Sequence, residues 1–135
     1  MTIQTQQIQY EDNGVILEGH VAWNDVSDKP KPGILVSHAW AGRTDFENEK
    51  AQKLAKQGYV GFALDLYGRG IVGSDPTENA ALMQPFLDDR RLLQKRMLLA
   101  VDQLKKLDQT NQDRIAAIGF CFGGLAVLDL ARTGV

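Results

Sequence analysis

Three short apolar runs alternate with segments of helical periodicity, and this alternation constrains the fold more than any other feature of the sequence. The runs cover residues 34–38, 59–65 and 114–119, and helices are predicted over 46–57 and from 77 to about 107. Runs this short and apolar are typical of strands buried on both faces. Buried strands that alternate with amphipathic helices predict a parallel α/β sheet in a three-layer α/β/α arrangement.

An antiparallel hairpin is predicted to precede the parallel units. Its strands cover residues 6–10 and 15–23, and the Asp-Asn-Gly turn at 12–14 supplies the positive φ angles that a tight hairpin needs. Residues 28–33 contain two prolines and are expected to form a loop. In the long helical stretch, we expect Thr77 to act as the cap and Pro85 to interrupt the helix.

The composition argues against a protein that binds nucleic acid or spans a membrane. The chain has 15 basic and 17 acidic residues, a net charge of −2 that is unlike the basic balance of most nucleic-acid-binding domains. Its densest basic segment, residues 90–96, is interpreted as the solvated side of a helix. One cysteine cannot form an internal disulfide, and no apolar run is long enough to cross a membrane. We therefore expect a cytoplasmic protein that contacts neither nucleic acid nor membrane.

The segment that carries chemistry is Gly-Phe-Cys-Phe-Gly-Gly at 119–124, between the third apolar run and a predicted helix over 122–133. It has the spacing of a nucleophile elbow, with Cys121 in the place that serine usually takes. The turn requires small residues two positions before and two positions after the nucleophile, and it holds the nucleophile in strained backbone geometry. Cys121 would then lie at the carboxyl edge of the sheet, where the helix amides favour a thiolate. The backbone N–H of Phe122 would be one oxyanion donor.

A second loop supports this hypothesis. The turn after the first apolar run is Ser-His-Ala-Trp-Ala-Gly at 37–42, and in this architecture it provides the second oxyanion donor, for which Trp40 is the best candidate. His38 precedes the nucleophile, whereas a catalytic histidine would follow it, so we favour a packing or loop-orienting role. His20 lies in the predicted hairpin and is expected at the surface.

Other sites are less well supported. Gly68, Gly70 and Gly73 match the spacing of a dinucleotide-binding turn, but no helix opens directly after them, and an active-site loop is the better interpretation. Two histidines and one cysteine, widely spaced, predict no metal site. A nucleotide-binding module remains an alternative on this loop.

Taken together, the elbow, the loop at 38–42 and the segments at 57–60 and 63–67 resemble the dienelactone hydrolase family of α/β-hydrolases. The resemblance implies ester or lactone hydrolysis by a cysteine-histidine-aspartate triad without a cofactor. It assigns Cys121 as the nucleophile, Phe122 and Trp40 as the oxyanion donors, and Arg69 to substrate binding. We also name His38, in the loop after the first apolar run, as a candidate for substrate binding.

Two departures from the family pattern bear on function. Ala39 stands where dienelactone hydrolases have a glutamate that helps to activate the cysteine, so the substrate is left open. The family's acid and histidine should follow the nucleophile on later strands, and we expect neither triad partner within residues 122–135. We therefore expect residues 1–135 to form the N-terminal part of one α/β-hydrolase domain, truncated after the elbow helix and inactive alone.

A truncated domain is expected to pair with a second copy of itself, and one alternative function stays open. With no later strand beside it, the strand at 114–119 becomes an apolar edge that could pair with another copy of the chain. The competing hypothesis is a non-catalytic α/β module in which Cys121 is inert or a redox-sensing thiol.

Overall fold

The computed structural model describes all 135 residues, and it shows one five-stranded sheet with four helices. In chain order the elements are β1 (Ile3–Asp12), β2 (Val15–Asn24), β3 (Lys31–Ser37), α1 (Asp45–Lys56), β4 (Val60–Ala63), α2 (Pro76–Asp88), α3 (Arg90–Lys105), β5 (Thr110–Gly119) and α4 (Phe122–Ala131). None of the helices is both long enough and apolar enough to cross a membrane.

The sheet has the order β1-β2-β4-β3-β5. β1 pairs with β2, and β2 with β4, in antiparallel fashion, whereas β3 pairs with both β4 and β5 in parallel. This confirms the predicted opening hairpin followed by parallel βαβ units. Because β3, β4 and β5 are parallel, their carboxyl ends meet at one edge of the sheet, and the loops that follow them lie together there.

Helices cover both faces of the sheet. On one face α1 packs through small side chains, Ala51 and Ala55, against Ala22 and Ala63 of the central strands. The approach is close: a side chain at Gly61 would overlap the backbone of Ala51. The opposite face carries the larger core, to which α3 and α4 contribute. Its 18 buried members are Tyr10, Leu17, Val21, Leu35, Val60, Phe62, Leu64, Leu66, Tyr67, Phe86, Leu93, Met97, Ala100, Val101, Leu104, Phe122, Ala126 and Leu130.

Several element boundaries differ from the expected ones. α2 is capped by Asp75, whose side chain accepts from the Glu78 N–H, and not by Thr77. Pro85 lies within α2, and the break comes at Asp89, which ends α2 in an extended conformation and caps α3. Pro85 removes only one N–H from α2, and the helix continues past it. The new helix begins after Asp89 because the Asp89 carboxylate accepts from two first-turn donors of α3, the N–H groups of Arg91 and Leu92.

Most strands extend further than expected, whereas β4 (Val60–Ala63) is shorter than the predicted strand at 59–65. β3 begins at Lys31, inside the predicted loop, and its pairing with β5 shifts register between Pro32 and Gly33. Proline is tolerated in a sheet at such an irregularity. β1 and β5 are each 10 residues long, because polar residues at their solvent-facing positions continue the ladders beyond the apolar runs.

Two polar residues expected at the surface are buried. His20 lies under α1, where its ring is held by Gln7 and Gln52. Arg96 is only 8% exposed and bonds to Asp12 and to the Leu66 carbonyl. The helical face of residues 90–96 is therefore solvated only in part.

Candidate active site

Cys121 lies at the tip of the turn between β5 and α4, and it is the one cysteine of the chain. Its backbone angles are φ 54° and ψ −114°, a combination that few residues other than glycine adopt. The side chain is exposed at the carboxyl edge of the sheet. The turn is closed by two hydrogen bonds, from the Gly123 N–H to the Phe120 carbonyl and from the Gly124 N–H to the Cys121 carbonyl, both at 2.9 Å.

The glycines around Cys121 are required by the close packing of the turn. A Cβ on Gly119 would overlap the backbone of Gly123, and a Cβ on Gly123 would overlap the Ser37 carbonyl. Gly124 differs, since its nearest neighbour in the same test is 3.9 Å away. The small residues predicted two positions before and after Cys121 therefore have a steric cause, and Gly123 brings the elbow against the end of β3.

Trp40 lies in the loop that follows β3, at the same edge as Cys121. The backbone N–H of Trp40 donates to no backbone or side-chain acceptor of the protein. Phe122 is the first residue of α4, so its N–H has no acceptor within the helix. The structure therefore places one predicted oxyanion donor in the loop after β3 and the other at the start of α4, each with a backbone N–H that has no acceptor in the fold.

His38 is wholly buried and both of its ring nitrogens have partners. The Leu66 N–H donates to Nε2 at 3.0 Å, so Nε2 carries no proton and Nδ1 donates to the Ala39 carbonyl at 2.7 Å. Burial lowers the pKa of the imidazole and keeps it neutral. The ring has no exposed surface that a substrate could contact, so the assignment of His38 to substrate binding is not supported and the loop-orienting role is favoured.

Tyr67 is a site residue that the sequence analysis missed. Its hydroxyl donates to the Trp40 carbonyl at 2.9 Å, and its ring stacks on Phe122 with centroids 6.2 Å apart and an interplanar angle of 15°. Burial raises the pKa of the Tyr67 hydroxyl, which keeps it protonated as a donor. Tyr67 therefore contacts both residues whose N–H groups are candidate oxyanion donors. Its sequence signals are its position just after a buried strand and its place in the segment at 63–67 that resembles the family.

Asp65 was also missed as a residue that shapes the site. One carboxylate oxygen accepts from the N–H groups of Tyr67 and Gly68 at 3.0 and 3.1 Å, and the other accepts from the Glu18 N–H at 3.0 Å. The carboxylate is buried and serves three backbone donors at once. It fixes the loop that carries Tyr67 to the hairpin strand β2.

Arg69 is exposed, and its own N–H donates to the Ile16 carbonyl at 2.8 Å. The residue lines a polar cavity of about 140 Å³ together with Glu18, Arg43 and Asp65. Cys121 is not among the lining residues, so the structure does not bring the two into one cavity. The role of Arg69 in substrate binding stays a prediction.

The glycine-rich loop at 68–73 is not followed directly by a helix. α2 begins at Pro76, and its first turn is capped by the Asp75 carboxylate, which places negative charge where a dinucleotide phosphate would bind. This arrangement favours an active-site loop over a nucleotide site. No three side chains among the histidines, cysteine, aspartates and glutamates are grouped so that they could hold a metal ion.

Neither histidine of these 135 residues is available as a base for Cys121. His38 is held between Ala39 and Leu66, and the His20 ring lies between Gln7 Oε1 at 2.9 Å and Gln52 Nε2 at 3.1 Å. Burial lowers the pKa of His20 as well. The site therefore has a candidate nucleophile and candidate oxyanion donors, and neither histidine is placed to act as its base.

Comparison with known proteins identifies the family. The model of the dienelactone hydrolase family matches residues 17–135. A protein of Aquifex aeolicus named "Putative carboxymethylenebutenolidase" is 32% identical over 133 residues, which are 93% of this chain and 54% of that protein.

Two solved structures share the fold closely. One, named m3DLH, is 33% identical with a TM-score of 0.94. The other, a dienelactone hydrolase-like promiscuous phosphotriesterase named P91 from metagenomic libraries, is 32% identical with a TM-score of 0.94. The match covers 98% of this chain and 55% of each of those chains, so this chain spans about half the length of the proteins it matches. The chain belongs to the dienelactone hydrolase family.

Proposed function

We propose that this protein cleaves esters or lactones with Cys121 as the nucleophile. The observation that carries the proposal is the elbow itself: an exposed cysteine with φ 54°, directly before a helix whose first N–H has no acceptor. Membership of a hydrolase family supports the reaction class. The Aquifex aeolicus relative's name denotes action on a butenolide, a cyclic ester, and supports the substrate class.

The first step is acyl transfer to sulfur. The Cys121 thiol gives its proton to water and the sulfur attacks the carbonyl carbon, and the negative charge that develops on the carbonyl oxygen is stabilised by the backbone N–H groups of Phe122 and Trp40. The carbon–oxygen bond to the leaving group then breaks, and the alkoxide departs with a proton from water. The product of this step is a thioester on Cys121.

The second step is hydrolysis of that thioester, and it needs a group to activate water. The two histidines present are buried and engaged, so neither is free to activate water. We therefore propose that the 135-residue polypeptide is acylated but turns over very slowly. Full turnover needs a histidine and an acid in addition to these residues, as the family pattern implies.

The test is mass spectrometry of the polypeptide after brief exposure to p-nitrophenyl acetate. We expect one acetyl group on the wild-type chain and none on Cys121→Ala, with the adduct persisting long after the nitrophenol burst. The absence of an adduct on a folded wild-type chain would overturn the proposal and favour an inert or redox-sensing thiol. Rapid loss of the acetyl group would instead disprove the missing-base argument.

A phosphotriester is a second candidate substrate. The observation that favours it is the close structural match to P91, whose name describes promiscuous phosphotriesterase action. The same N–H groups could stabilise charge on a phosphoryl oxygen during attack by Cys121. Incubation with a p-nitrophenyl phosphotriester should give a phosphorylated Cys121, and an unmodified chain would exclude this substrate class. For either substrate we expect the protein to act in the cytoplasm.

A further inference from the structure

We propose that His38 is a positioning residue for the oxyanion donor, because it holds the peptide group that carries the Trp40 N–H. The inference rests on the proposed function, since it takes the Trp40 N–H to be an oxyanion donor. It goes beyond that function by assigning a role in catalysis to a side chain that is wholly buried.

The peptide group between Ala39 and Trp40 is the centre of the argument. Its carbonyl oxygen accepts two hydrogen bonds, from His38 Nδ1 at 2.7 Å and from the Gly42 N–H at 3.1 Å. The carbonyl of Ala39 and the N–H of Trp40 belong to one planar trans peptide, so they point in opposite directions. A donor that fixes the direction of the carbonyl therefore also fixes the direction of the N–H.

His38 suits this task because its tautomer is set from the other side of the ring. The Leu66 N–H donates to Nε2 at 3.0 Å, which leaves Nδ1 as the protonated nitrogen that faces Ala39. The bond between them is partly buried, and a hydrogen bond to the carbonyl polarises the peptide and strengthens its N–H as a donor. An apolar side chain could fill the same space but could not make either hydrogen bond.

The neighbouring peptide is held independently. The Trp40 carbonyl accepts from the Tyr67 hydroxyl at 2.9 Å, and the His38 and Tyr67 rings are in contact, with centroids 4.8 Å apart. Loss of the His38 hydrogen bond therefore leaves the loop in place, but the Ala39 carbonyl keeps only the longer bond from the Gly42 N–H, so its peptide is held less firmly. This separates a positioning role from a role in folding alone.

The experiment compares two reactions at the same sulfur. Acetylation by p-nitrophenyl acetate passes through an oxyanion, whereas alkylation by iodoacetamide is a direct displacement at carbon that does not form one. We would measure both rates for the wild type, His38→Phe, His38→Gln and the control His20→Gln. The control also removes a buried histidine with two ring partners, but that residue has no bond to the loop.

We expect His38→Phe to be acetylated roughly 10- to 100-fold more slowly, a smaller loss than complete removal of an oxyanion donor would cause. Its alkylation rate should stay within about twofold of the wild type, because Cys121 itself is untouched. His38→Gln keeps an amide donor, so its acetylation rate should fall between those of the wild type and His38→Phe. His20→Gln should leave both rates unchanged.

Equal acetylation of the wild type and the His38 variants would overturn the inference, and so would equal slowing of both reactions. If His38→Phe does not fold, as judged by circular dichroism, the ratio of the two rates in His38→Gln decides in the same way. A wild type that is alkylated but never acetylated would disprove the proposed function, an outcome distinct from failure of the positioning role alone.

Discussion

At the scale of single residues, the elbow depends on contacts that only glycine permits. Cys121 is held at φ 54°, a backbone conformation that costs on the order of 1–3 kcal/mol for a residue with a side chain. The surrounding structure maintains it because α4 packs directly on the end of β3, with Gly123 against the Ser37 carbonyl. The strained backbone of Cys121 is therefore maintained by the close packing at Gly123.

Substitution of Gly123 tests this arrangement. The Cβ of Gly123→Ala would overlap the Ser37 carbonyl, so α4 must shift and carry the Phe122 N–H with it. We expect acetylation of Cys121 to be lost and the free energy of unfolding to fall by about 1–3 kcal/mol. The measurements are the nitrophenol burst and urea denaturation.

Gly124→Ala is the matched control, because the nearest atom to its added Cβ is 3.9 Å away. It should keep the burst, and it should be at least as stable as the wild type, since alanine is the better helix former. A Gly123→Ala variant with a normal burst would show that the elbow tolerates a side chain there.

At the scale of elements, one buried ion pair joins the opening hairpin to α3. Arg96 Nε donates to Asp12 Oδ2 at 2.9 Å, and Lys95 Nζ lies 2.6 Å from the other carboxylate oxygen. Burial opposes the charge on Asp12, but the hydrogen bonds from Lys95 and Arg96 outweigh that effect and lower the pKa of the carboxyl. Arg96 also donates to the Leu66 carbonyl, which links the ion pair to the loop after β4.

Replacement of Arg96 should therefore be costly. In Arg96→Met the buried Asp12 keeps Lys95 as its only cation, and the Leu66 carbonyl loses its donor. We expect a loss of about 3 kcal/mol in the free energy of unfolding, measured by urea denaturation. Arg91→Met, on the exposed side of the same helix, removes the same charge but no hydrogen bond or ion pair of the Arg91 side chain. A similar loss in both variants would mean that net charge, and not the buried pair, is responsible.

At the scale of the whole molecule, β5 is an unpaired edge of the sheet, as predicted. Ile118 on this strand is 39% exposed. Beside the strand, an apolar groove of about 240 Å³ runs between α3 and α4, lined by residues such as Val101, Ile115 and Val127. An exposed apolar edge strand is a template for pairing with another chain, and little in β5 after Arg114 opposes this.

We therefore expect the 135-residue polypeptide to self-associate through β5. Sedimentation velocity should show species larger than a monomer, and Ile118→Lys should shift the distribution towards monomer, because charge on an edge strand opposes pairing. Val26→Lys, at an apolar residue that is 67% exposed outside the sheet, should not change it. A wild-type chain that is strictly monomeric at high concentration would contradict the prediction.

Local pattern determined much of this protein in advance. The alternation of apolar runs and helical segments predicts the parallel βαβ units, the Asn-Gly pair predicts the hairpin turn, and the glycines at 119 and 123 predict the elbow. These features follow from the backbone preferences and periodicity of neighbouring residues, which a sequence shows directly.

Tertiary structure alone decided which polar side chains serve the site. Arg96 has the spacing of a surface arginine, yet it is buried because Asp12, 84 residues away in the chain, lies opposite it. Tyr67 contacts Trp40, and His38 contacts Leu66, across separations of 27 and 28 residues. Such pairs form only when separate strands are brought to one edge of the sheet. Hydrogen bonding between distant residues leaves no periodic pattern in the sequence, so these pairs could not be predicted from it. The elbow is thus a property of a few consecutive residues, whereas the orientation of its oxyanion donors is a property of the assembled sheet.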